Sequence, residues 1–183
     1  MKKELTWILI FLLCLSPLCA QAEETAHSAW EGRFYCLYPL HLSIEVMENA
    51  RIATEEQCAS LRTARDTMAT HPQILAAAQE EGGMRLLIAR ETTAADADAA
   101  TYVKKLVGDL RKELDGKAFQ ISDTDKVFLA DLPSLTFAVR CDGRIQQYYV
   151  LVSDAQAYVI SFTYAEADAQ KMRDDILLRF CQL

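Results

Sequence analysis

Between Ser134 and Tyr164 the chain has few ways to fold. Ser134–Cys141 is rich in residues that suit a pleated, half-buried surface. Asp142-Gly143 follows, a pair that supplies the two positive-φ positions of a tight hairpin turn. Arg144–Ser153 and Ala157–Tyr164 have the same strand character and are separated by a turn at Asp154–Gln156. Sequential strands joined by short turns lie side by side and antiparallel, so the segment predicts a meander. Alternation puts Tyr158, Ile160, Phe162 and Tyr164 on one face, with Val159, Ser161 and Thr163 on the other.

The remaining elements are arranged around that meander. Arg33–Tyr38 and Leu42–Val46 read as short strands on either side of Pro39. Thr54-Glu55-Glu56-Gln57 is a capping box, which predicts a helix running to about Met68. Pro72–Gln79 reads as a second short helix closed by Gly82-Gly83, and Met84–Arg90 as a strand. Asp96–Leu114 predicts a long helix, with Val103, Leu106, Val107, Leu110 and Leu114 in one stripe and Gly116 as its stop. Lys126–Ala130 is a further strand. Glu166–Phe180 predicts a closing helix that buries Ala169, Met172, Ile176, Leu177 and Phe180. The fold class is therefore α+β: one antiparallel sheet meander with helices packed on it and a C-terminal helix.

The start of the chain reads as an address, not as part of the fold. Lys2 and Lys3 precede an apolar run from Leu5 to Leu18, and Ala20-Gln21-Ala22 is a small-x-small cleavage pattern. Residues 1–22 are read as a signal peptide, 23–31 as a flexible lead-in, and 32–183 as a single domain. The run is short for a spanning helix, which needs about 20 apolar residues. A lipid-modified Cys19 is disfavoured by bulky Leu18 before it. No later run reaches spanning length, so no membrane span is expected after cleavage, and the expected location is secreted or periplasmic. The 183 residues carry 26 acidic against 19 basic side chains, a formal charge of −7. That sign argues against nucleic acid as a partner.

The stretches Gly-Arg-Phe-Tyr-Cys-Leu-Tyr-Pro-Leu-His-Leu-Ser-Ile-Glu-Val from Gly32, Thr-Glu-Glu-Gln-Cys-Ala-Ser-Leu from Thr54, and Tyr148 through Phe180 together resemble the PsbP-like fold. That group includes the photosystem II extrinsic protein, a Ran-binding import factor and small secreted bacterial proteins of unassigned role. The likeness lies in element order and apolar spacing from about Gly32 to Phe180, and no catalytic signature is part of it. Because characterised members act mostly by binding other proteins, the resemblance implies an adaptor.

Residues able to carry chemistry are sparse. His27, His41 and His71 have no Gly-x-Ser-x-Gly nucleophile to serve. Asp96/Asp98 and Asp123/Asp125 are acidic pairs, read as a helix start and a turn because a calcium loop needs more ligands. No catalytic residue, metal ligand or cofactor-binding residue is assigned. Tyr148, Tyr158, Phe162 and Tyr164 are candidate aromatics of a ligand groove, with core packing as the more ordinary role. Cys36, Cys58, Cys141 and Cys181 remain after cleavage and are disulfide candidates in an exported chain. With the closing helix folded back on the sheet, Cys141 and Cys181 fall at opposite ends, too far apart for the roughly 7 Å a bridge spans. Two crossed pairings stay open: Cys36–Cys141 with Cys58–Cys181, or Cys36–Cys181 with Cys58–Cys141. A single bridge or four free thiols also stay open. Cys58–Cys181 is favoured because both are expected on helices.

The reading is a non-catalytic exported protein acting as a protein-binding or adaptor module, its partner an unknown protein of the cell envelope or the exterior. The alternative is a small-ligand or envelope-stress protein with weak hydrolytic activity. Ala20 and Ala22 at the small-residue subsites predict Glu23 as the mature N-terminus. Intact mass of exported protein measures this. A chain retaining Met1, or a diacylglyceryl Cys19, would overturn it.

Overall fold

The structure is a computed structural model that describes residues 28–64 and 72–183. Strands β1 (Ala29–Glu31), β2 (Phe34–Leu37) and β3 (Leu42–Glu45) open the chain, with a 3₁₀ turn at Tyr38–Leu40 between the last two. β4 (Arg51–Ile52) and helix α1 (Glu55–Ala64) follow. The capping box of α1 forms as read: the Thr54 N–H donates to Gln57 Oε1 at 2.9 Å and the Gln57 N–H to Thr54 Oγ1 at 3.3 Å. The end expected near Met68 lies outside the described residues.

After residue 72 come β5 (Gln73–Gln79), β6 (Arg85–Thr92) and helix α2 (Ala99–Glu113). Asp98 caps α2 by accepting from the Thr101 N–H at 2.7 Å. Then come β7 (Phe119–Ile121), β8 (Asp125–Leu129), β9 (Leu132–Cys141), β10 (Arg144–Ser153) and β11 (Gln156–Ala165). A 3₁₀ turn at Glu166–Asp168 leads into helix α3 (Ala169–Leu177), and β12 (Phe180–Gln182) ends the fold.

The strands form two sheets. The smaller has the order β1-β2-β3-β12; the larger runs β4-β5-β6-β11-β10-β9-β7, with β8 also paired to β9. All pairs are antiparallel. The meander is present as expected, and Asp142 (φ 53°) and Gly143 (φ 70°) make its first turn.

The large sheet is buried on both faces, which explains why its central strands are so apolar. One face presents Ile88, Tyr149, Ile160 and Phe162 to Leu37, Leu42, Ile44 and Phe180 of the small sheet, with Ile176 of α3 beside them. The other face carries α2, whose Tyr102, Val103 and Leu110 pack on Phe137, Tyr148 and Val150. At its far edge α1 sets Cys58 against Ile74 and Ala89.

Three expectations need correction. Pro72–Gln79 is not a helix: it is strand β5, alternately buried at Ile74, Ala76 and Ala78. Its alanines favour a helix by only a few tenths of a kcal/mol each, less than pairing with β6 and joining the core provide. Gly82-Gly83 therefore closes a hairpin, with Gly83 at φ 82°. The closing helix spans only Ala169–Leu177, because Phe180–Gln182 leaves it to pair with β3; Leu177 is consequently exposed. Ala29–Glu31, assigned to the lead-in, is strand β1 on the edge of the small sheet.

The junction between α3 and β12 is fixed by Arg179, a buried cation. Its Nη1 donates to Glu80, which is also buried, and its Nη2 donates to Asp175 Oδ2 at 2.8 Å. Glu80 Oε1 also accepts the Met47 N–H at 2.9 Å. Burial opposes charge on the guanidinium, but the two carboxylates outweigh it and hold its pKa above the ordinary value. Removing one partner of such a pair leaves a buried charge unpaired. Arg179→Ala is therefore expected to cost about 3–5 kcal/mol in urea unfolding. The double change Arg179→Met with Glu80→Gln, which keeps an acceptor for Met47, should recover most of that loss.

Candidate functional site

The strands of the small sheet are three or four residues long and those of the meander are ten. At about 3.3 Å per residue the smaller layer spans about 13 Å of a face some 33 Å long. The remainder is covered in part by α3, and a groove of about 430 Å³ is left beside that helix.

Alternation builds the floor. Thr136, Ala138 and Arg140 of β9 pair with Tyr149, Gln147 and Ile145 of β10, so all six share the face turned toward α3. Tyr164 of β11 lies opposite Ile145 and extends the same row. One wall is Asp125 and Val127 of β8; the other is Ala169, Arg173 and Leu177, spaced four apart on α3 and so on one side of it.

Two arginines, Arg140 and Arg173, and two phenols, Tyr149 and Tyr164, line this groove together with the Asp125 carboxylate. Tyr149 and Tyr164 are 3% and 4% exposed, line the groove, and among the described residues their hydroxyls have no hydrogen-bond partner. Burial raises both phenol pKa values; for Tyr149 the neighbouring Tyr164 adds to this, while Arg173 opposes it at both rings. Arg140 also opposes it at Tyr164 and lies 3.6 Å from Glu166. Arg173 has no carboxylate within ion-pair distance among the described residues. The Gln147 amide donates to Thr136 Oγ1 and, at 3.2 Å, to the Phe137 carbonyl.

A second cavity, of about 270 Å³, lies on the opposite face under α2. Leu106, Leu110, Val139, Tyr148 and Val159 make it mainly apolar. Tyr148 is stacked on Phe137 with centroids 4.8 Å apart. At its rim Glu91 accepts from the Tyr102 hydroxyl at 2.7 Å and from Lys105 Nζ at 2.8 Å.

The four candidate aromatics are thus not brought together. Tyr164 lines the groove and Tyr148 the cavity on the other side of the sheet. Tyr158 and Phe162 belong to the core between the sheets, where Phe162 meets Tyr149 and Phe180 edge to face. Tyr149 and Arg173 were not among the candidates. Tyr149 could have been found from the Tyr148-Tyr149 doublet, since adjacent strand residues must point to opposite faces. Arg173 has no comparable signal in a surface helix.

No disulfide is formed by Cys36, Cys58, Cys141 or Cys181. The favoured Cys58–Cys181 bridge is absent: Cys181 is not on a helix but in β12, opposite Ser43 in the small sheet, while Cys58, on α1, packs against Ile74 and Ala89 of the large sheet. Cys36 is also opposite Ser43, from the other side, so Cys36 and Cys181 are two strands apart. At about 4.8 Å per strand that exceeds the reach of a disulfide. His41 sits at the exposed end of a 3₁₀ turn with φ 50°, its carbonyl accepting the Leu183 N–H; His27 and His71 lie outside the described residues.

No family model matches the chain, and no curated protein matches it. Among solved structures it is similar to cyanobacterial PsbP (CyanoP) from Synechocystis sp. PCC 6803, with a TM-score of 0.53 and 9% identity. That match covers 79% of this chain and 88% of the other. LpqN of Mycobacterium tuberculosis, described as involved in cell envelope biogenesis, gives a TM-score of 0.43 and 12% identity over 76% of this chain and 82% of its own. The chain has a PsbP-like fold, as the sequence resemblance implied.

The buried phenols set an alkaline limit. Burial pushes Tyr35 from 10.0 up to about 12 and raises Tyr102 and Tyr149 as well. The folded protein keeps protons there that the unfolded chain releases, so this stabilisation is complete below about pH 10 and is lost as pH rises through about 12. Tyrosinate absorbance should rise together with loss of the fold. A rise complete at pH 10 in a folded protein would contradict the burial.

Proposed function

We propose that this chain is an exported, non-catalytic module that acts by binding another protein of the envelope or the exterior. The N-terminal address pattern supports export, and no helix among the described residues is long and apolar enough to cross a membrane.

The observation that carries the binding role is an apolar ridge at the end of α3. Leu178 is 79% exposed and Leu177 39% exposed, each a side chain that burial would favour. Leu177 faces the groove, and Leu178 faces a depression on the other side of α3, shared with Met47, which is 47% exposed. That depression is edged by charge: Arg33 and Glu45 pair at 2.6 Å, and Glu48 and Asp175 stand nearby. An apolar centre with a charged rim is the make-up of a protein-docking surface. The partner it fits presents an apolar side chain to Leu178 and Met47.

Immobilised mature protein should retain one stoichiometric protein from a cell-envelope fraction. Leu178→Asp should cut that retention by about 30-fold, the size of a central apolar contact, without moving the melting temperature. Equal retention by both proteins, or retention of a metabolite and no protein, would overturn the reading.

A further inference from the structure

The groove beside α3 holds an arrangement that neither folding nor the docking ridge uses. Two phenol hydroxyls emerge from otherwise buried rings with no protein partner among the described residues, and an arginine with no carboxylate partner among those residues lines the same groove. The rings are buried but the hydroxyl atoms are open to the groove, so each can hydrogen-bond to whatever enters it. Phenylalanine would serve the packing equally well at both positions. We propose that this groove is a binding site for a small molecule with an anionic head, a carboxylate or a phosphate monoester, on an apolar body.

The charges give the ligand a direction. Among the described residues the acidic side chain lining the groove is Asp125, on the β8 wall; Arg140, which also lines it, is already beside Glu166. The α3 wall is cationic through Arg173. An anionic head therefore lies against α3, where Arg173 and the hydroxyls of Tyr149 and Tyr164 donate to it. The apolar body extends over Ile145 and Ala138 toward Val127. A volume of about 430 Å³ lies within the range of small-molecule sites and admits one such molecule.

The test is calorimetric titration of the mature protein with three probes: 4-phenylbutyrate, its neutral amide 4-phenylbutyramide, and phenyl phosphate. The expected result is binding of an anion, at least about tenfold tighter than the amide. Tighter binding of 4-phenylbutyrate assigns the head as a carboxylate, and tighter binding of phenyl phosphate assigns it as a phosphate. Arg173→Gln, and separately the pair Tyr149→Phe with Tyr164→Phe, should each weaken the preferred anion about tenfold or more. Neither hydroxyl has a protein partner among the described residues, so the phenylalanine pair should melt no lower than the parent; a merely structural role would lower it. Failure of both anions to bind at millimolar concentration, equal binding of the amide, or full affinity in the Arg173→Gln protein would each overturn the proposal. Leu178→Asp should leave anion binding intact, so this site and the docking ridge fail or stand separately.

Discussion

The buried Arg179–Glu80 pair holds together parts of the chain that are 99 residues apart in sequence. Glu80 sits at the turn between β5 and β6 and also takes the Met47 amide just beyond β3. Arg179 reaches back to Asp175 on α3, and its own carbonyl accepts the Glu45 N–H. One residue thus sets the end of α3, the start of β12 and the edge of β3. A buried ion pair adds little net stability compared with an apolar replacement, yet breaking it is costly. Its effect here is on arrangement: it decides where α3 ends and therefore which of its side chains face outward.

The large sheet accounts for most of the remaining architecture. Its central strands are apolar on both faces, so each face needs a cover. Helices α1 and α2 supply one cover side by side, and the small sheet with α3 supplies the other. The covers are unequal. A fifteen-residue helix spans about 22 Å, whereas the strands of the small sheet stop at about 13 Å. The groove is the part of the face that the shorter cover leaves open. Tyr149 marks its boundary, since its ring is packed against Phe162 and Phe180 while its hydroxyl end looks into the groove.

What could be read from the sequence was what local chemistry decides. Asp142-Gly143 declared its turn because Asp and Gly take consecutive positive φ angles most readily, whereas the turns at Ala130-Asp131 and Asp154-Ala155 reach the same conformation with an alanine and carry no such signal. Thr54 and Gln57 declared a helix start because the reciprocal hydrogen bonds need those side chains at that spacing. β5 was hidden because Ile-Leu-Ala-Ala-Ala satisfies a helix locally, and only the distant β6 makes it a strand. β12 was hidden for the same reason: three residues carry no period, and β3 recruits them. The misplaced Cys181 followed directly from that. In the groove, Tyr164 was legible from alternation alone, but grouping it with Tyr148 ignored which face each strand position takes. Arg173 became visible only once α3 had been placed over the sheet.

Helix α3 has nine residues, below the length at which a helix is stable by itself in water. Its position must come from its contacts. Met172 and Ile176 turn to the core, with Ile176 fully buried, and Arg179 anchors the end. The remaining positions follow from helical geometry: Ala169, Arg173 and Leu177 recur every fourth residue and meet the groove. Leu178, one residue past the helix, turns to the opposite side. A cationic wall and an apolar ridge thus stand back to back on one short element that two buried residues hold. Loosening Ile176 or Arg179 would displace both surfaces together, whereas Arg173 and Leu178 can each be changed without disturbing that anchorage.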